Sequence, residues 1–85
     1  MNQEELSGED IHRLIELLER RLEIIGDAEL RESDPEKQMR ELQSASEAIF
    51  EAQKRLGAKF PPRLKHFFDG CSYDKALSFL KTIGN

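Results

Sequence analysis

Apolar residues in the first third of the chain recur at helical spacing. Ile11, Ile15, Leu18, Leu22 and Ile25 are separated by four, three, four and three residues, which is a heptad seam, and Leu14 widens it. Ser7 and Asp10 form a variant capping box ahead of the seam, and Gly26 stands where a left-handed C′ residue would close it. The pattern predicts a helix over 8–25. Residues 26–33 read as a loop with a partial turn around Ala28–Arg31.

A second helix is predicted over 35–56. Asp34-Pro35-Glu36 supplies a side-chain acceptor, a residue with no amide to waste, and a negative charge at the positive end of the dipole. Met39, Leu42, Ala45, Ile49, Ala52 and Leu56 share its apolar face, and Gly57 is placed to end it. Ser46 and Gln53 interrupt the heptad positions. Buried without partners they would each cost on the order of 1–3 kcal/mol; Ser46 can bond back to its own helix, and Gln53 is expected at an edge of the seam or paired across to a helix or loop. Ala45, Ala48 and Ala52 allow a neighbouring helix to come close.

Two shorter helices follow from the same reasoning. Pro61 or Pro62 opens one over 62–69, carrying Leu64, Phe67 and Phe68 and stopped at Gly70. Ser72 caps another over 73–83, where Tyr73, Ala76, Leu77, Leu80 and Ile83 keep a helical period. No stretch alternates as a strand would. The expected fold is all-α and a single domain over 1–85. It is a small helical bundle, with a long antiparallel helical hairpin closed by two short C-terminal helices.

Composition agrees with that class. In 85 residues, 38% are hydrophobic and 35% charged, which suits helices with one wet face. The lone Cys71 excludes an internal disulfide framework, the first residues are polar and acidic, and no apolar run approaches membrane-spanning length. These features point to a cytoplasmic protein. Charge changes the picture more. Residues 1–51 hold fifteen acidic and six basic side chains, whereas residues 52–85 hold two acidic and seven basic. Such an asymmetry means either a basic tail folded onto acidic helices or a basic surface kept for an acidic partner.

Candidate chemistry is sparse. His12 shares a helix face with Glu9 and Glu16, which falls short of a metal site without a further ligand. Cys71, His66, Asp69 and Asp74 lie close in sequence, but their spacing matches no catalytic signature. Phosphate loops, paired metal-binding cysteines and nucleophile elbows are absent from the sequence. The reading is therefore no enzyme, no cofactor and no metal. Tyr73-Asp74-Lys75-Ala76-Leu77 with Leu80 is similar to a fragment of a tetratricopeptide repeat. That likeness covers about a tenth of the chain, and no second copy stands about 34 residues away.

Two surfaces are candidates for binding. Leu17 and Ile24 lie outside the main arc of the first helix, separated from it by Arg21, and are expected to form a partner surface or a homodimer contact unless the last helix covers them. Lys54, Arg55, Lys59, Arg63 and Lys65 interleave with Phe60, Phe67 and Phe68, a combination that suits nucleic acid. The first reading is a non-catalytic protein-interaction or adaptor module, with self-association as one form of it. A nucleic-acid-associated protein comes second, and a cysteine- or metal-dependent enzyme third. No membrane partner is expected.

Overall fold

The computed structural model describes residues 5–84 and contains, among them, helices without strands. Helix α1 runs Gly8–Ile25, α2 Ala28–Ser33, α3 Pro35–Leu56, α4 Pro62–Asp69 and α5 Tyr73–Gly84, with a 3-10 turn at Gly57–Lys59. Residues 1–6 read from sequence as a frayed start, and residues 1–4 of that stretch lie outside the described residues.

Local chemistry sets the helix starts. The Ser7 hydroxyl accepts from the Asp10 amide at 3.0 Å, while the Ser7 amide donates to the Asp10 carboxylate at 3.2 Å, completing the capping box. Asp34 accepts from the Lys37 amide at 3.1 Å, with Pro35 behind it.

Helix ends depart from the sequence reading. Gly26 is right-handed, at φ −83°, because the chain does not reverse there. Instead Asp27 accepts from the Leu30 amide at 2.9 Å and opens α2, so the expected loop is a six-residue helix. Gly57 is also right-handed, and α3 tightens into the 3-10 turn before Phe60 becomes extended.

The left-handed position after α4 belongs to Cys71, at φ 57°, and not to Gly70. The Ser72 amide donates to the Phe67 carbonyl at 2.8 Å and the Cys71 amide to the Phe68 carbonyl at 3.0 Å. These two bonds make a Schellman turn with a cysteine where glycine is usual.

Helices α1 and α3 form the antiparallel hairpin, and α4 with α5 closes one side of it, α5 lying chiefly on α1. The core joins Leu14 and Leu18 of α1, Ile49, Ala52 and Leu56 of α3, and Phe60, Leu64, Phe68, Tyr73, Ala76, Leu77 and Leu80 of the closing segment. Aromatic pairs knit that segment together. Phe60 and Phe68 rings lie 4.9 Å apart, Phe68 and Tyr73 5.8 Å, and Phe67 and Phe79 6.3 Å. The described chain extends 51 × 23 × 22 Å, since the closing pair spans only part of the hairpin. Among the described residues, no helix is long and apolar enough to cross a membrane.

Candidate docking surface

The lid stops partway along the hairpin, and its limits can be read from contacts. At one end of α5, a Cβ on Gly84 would lie 3.1 Å from Ile11 and 3.9 Å from Ile15. At the other end, the Arg21 guanidinium sits over the Tyr73 ring at 4.9 Å. Helix α5 therefore runs antiparallel to α1 and covers it from Ile11 to about Arg21. Ile11, Ile15, Leu18, Leu22 and Ile25 lie on one stripe of α1, and the last two fall beyond the lid.

Burial follows this limit and corrects the expected partner surface. Leu22 is 41% and Ile25 37% exposed, whereas Ile24 is 5% exposed and Leu17 is half-buried against the core. The Leu17–Ile24 line faces α3. Its position is fixed by Gln38, whose Nε2 donates to the Ile24 carbonyl at 2.9 Å. Arg21 does not divide two surfaces. It folds inward onto Tyr73, and its Nε is buried without a hydrogen-bond partner.

On α3 the inner face is Ala45, Ile49, Ala52 and Leu56, while Met39 is 70% and Phe50 51% exposed. At 100° per residue, Met39, Ser46, Phe50 and Gln53 fall within an arc of about 60° along one flank. Met39, expected in the seam, belongs to this flank. Ser46 and Gln53 are half-buried at its inner edge, the position expected for Gln53. Phe50 and Gln53 continue into a cleft walled by Lys54, Phe68, Asp69 and Cys71. The uncovered end of the hairpin thus exposes Leu22 and Ile25 of α1 and, next to the Gln38–Ile24 bond, Met39 of α3.

The electrostatics of this end are lopsided. Residues 22–47 carry eight acidic and three basic side chains. Glu36 and Glu47 lie next to the Met39–Phe50 flank in helical phase.

The basic residues line several different depressions. Arg55 faces Glu9, Asp10, His12, Arg13 and Glu16 across a shallow depression. Lys54 belongs to the Phe50 cleft, Lys59 to a depression beside Leu6 and Phe60, and Arg63 to a cleft with Phe67, Lys75 and Phe79. Lys65 is paired with Asp69 at 3.1 Å. Among the described residues, the ion pair that ties the lid to the hairpin is Lys81–Glu19 at 2.9 Å, so the tail is held to the acidic helices mainly by apolar packing.

The Cys71 constellation separates in space. Asp69 lines the same cleft as Cys71, Asp74 lines the Arg63 cleft, and the exposed His66 ring rests 6.2 Å from that of Phe67. The Cys71 thiol is exposed. Burial of the Tyr73 phenol, and after it the neighbouring Cys71 side chain, raise its pKa above the ordinary value, while the Arg21 cation pulls it down. Among the described residues, no three His, Cys, Asp or Glu side chains converge on a metal-sized centre.

Leu22, Ile25, Met39, Phe50 and Gln38 were not picked out as functional or linking residues by sequence. For Gln38 a signal exists, since a long amide opposite a helix C-terminus meets carbonyls that lack partners. No protein family, curated protein or solved structure matches the chain.

Proposed function

We propose that this chain is a non-catalytic helical interaction module that docks a partner protein on the uncovered end of its hairpin. The observation that carries the reading is the apolar stripe of α1 running on past the lid, which leaves Leu22 and Ile25 exposed at the same end of the hairpin as Met39. Exposed apolar groups at one end of a small domain favour a macromolecular contact. The only cysteine lines a cleft with Phe50, Gln53, Lys54, Phe68 and Asp69, none of which is an imidazole base, and this supports a non-catalytic role. A single unpaired cysteine supports a reducing compartment such as the cytoplasm. A nucleic-acid role is the second reading; within its candidate surface Lys65 is already paired with Asp69, which lowers the free positive charge for phosphate.

The test is a comparison of two baits expressed in the native cell, the wild-type chain and Leu22→Ser/Met39→Ser. Both should melt alike. Wild-type chain should carry a co-purifying protein that the variant loses. Equal recovery on both baits would remove this end of the hairpin from consideration.

A further inference from the structure

We infer that the segment docking on this surface is a basic amphipathic helix supplied by another protein, an inference that rests on the interaction reading above. The fold itself indicates the shape of the occupant. Over the Ile11–Leu18 part of the α1 stripe, the groove is filled by α5, an antiparallel helix that buries Tyr73, Ala76, Leu77 and Leu80. The same stripe continues to Leu22 and Ile25 with nothing from the described chain upon it. A groove that accepts one amphipathic helix offers the next turns of the same seat to another. The exposed stretch on α1 is short, Leu22 to Ile25, and Met39 of α3 lies at the same end, next to the Gln38–Ile24 bond.

Charge selects the occupant. Residues 22–47, which build this end of the hairpin, carry eight acidic side chains against three basic ones, with Glu36 and Glu47 near the Met39 flank in helical phase. A partner helix with Leu or Ile on one face and Lys or Arg on its flanks places cations against those carboxylates. A second copy of this chain, docked end to end, would bring two such acidic rims together, and like-charge juxtaposition opposes it.

The probes are three synthetic peptides of about 18 residues, long enough to form a helix on binding. All share one leucine pattern at helical spacing. Their polar positions are lysine in the first, glutamate in the second, and serine with glutamine in the third. Each is titrated into the full chain while the methyl resonances of Leu22, Ile25 and Met39 are followed.

The leucine–lysine peptide should shift these methyls, and Leu22→Ser/Met39→Ser should weaken it about tenfold or more. Glu36→Gln/Glu47→Gln should weaken it several-fold without altering the thermal melt. Equal shifts of the same methyls by the neutral or acidic peptide would overturn the basic helix while leaving the docking surface standing. Lysine-peptide binding unaffected by the serine variant would overturn the inference as nonspecific charge attraction. No methyl shift with any peptide would also overturn it. If the native-cell baits behaved alike as well, the interaction reading would fall with it. Self-association by sedimentation that the serine variant abolishes would replace the partner helix by a second copy.

Discussion

The guanidinium carbon of Arg21 lies 4.9 Å from the centre of the Tyr73 ring, so a cation from the inner stripe of α1 is stacked on the first residue of α5. Its buried Nε has no hydrogen-bond partner among the described residues. Arg21→Ala should destabilise the fold by about 1 kcal/mol through loss of the stacked cation and its methylenes. Arg21→Met keeps the stem and deletes the orphan donor, so it should cost less. Urea melts of both, with Tyr73→Leu as the second arm of a double-mutant cycle, measure the coupling.

Tyr73 is the only tyrosine and there is no tryptophan, so phenolate absorbance reports this site alone. Its folded pKa is raised above the ordinary 10.0. The folded state therefore holds the phenolic proton more tightly than the unfolded chain. The stabilisation is complete below the unfolded pKa and is lost as pH rises through the folded one. Spectrophotometric titration of the native protein should run to higher pH than that of the urea-unfolded chain. Tyr73→Phe should remove this contribution to the alkaline fall in stability.

At Cys71 a left-handed backbone carries a Cβ. Glycine adopts that conformation without the clash but gives the unfolded chain more freedom. Cys71→Gly should stabilise by about 0.5–1 kcal/mol, equivalent to a few degrees in Tm for a domain of this size. Cys71→Val should destabilise, since β-branched residues tolerate positive φ poorly. Gly70, at φ −91°, needs no such freedom, and a Cβ there would meet the His66 carbonyl at an ordinary 3.5 Å. Gly70→Ala should be neutral.

Leu64 and Met39 make a sharp pair for calorimetry. Leu64 has no exposed surface, and Leu64→Ala should cost about 2–5 kcal/mol through lost burial and a cavity. Met39→Ser removes a largely exposed side chain and should change stability by less than about 0.5 kcal/mol.

Gln38→Ala should cost about 1 kcal/mol, because its bond to the Ile24 carbonyl fastens the start of α3 to the end of α1. Asp34→Ala, which strips the cap of α3, should cost a similar amount. Chemical-denaturation midpoints of the two variants check both values.

What the sequence disclosed depended on the range of the interaction. Ser7 with Asp10, and Asp34 with Pro35, are caps whose partners lie three residues away, so they could be read directly. The apolar face of α3 at Ala45, Ile49, Ala52 and Leu56 followed from periodicity. Gly26 misled because glycine permits a left-handed turn without requiring one, and Asp27 three residues before Leu30 was the stronger signal. Leu22 and Ile25 looked buried because they belong to a continuous stripe. Periodicity tells which way a side chain points but not how far the covering helix reaches. That reach is set by the turn at Cys71 and the stack of Arg21 on Tyr73, a contact across more than fifty residues of sequence. The same long-range fact moved the candidate surface from Leu17 and Ile24 to Leu22, Ile25 and Met39.

A lid that ends at Arg21 also grades the molecule along its long axis. Past that point each turn of α1 and α3 leans on the opposing helix and on the short α2, with Ile24 the deeply buried α1 side chain there. Local opening frees backbone amides in proportion to how little packing must be undone. Amide exchange should therefore be fastest from Leu22 through Leu42 and slowest around Leu14, Leu64 and Leu80. The hairpin tip would then open and re-form many times within the lifetime of the folded base.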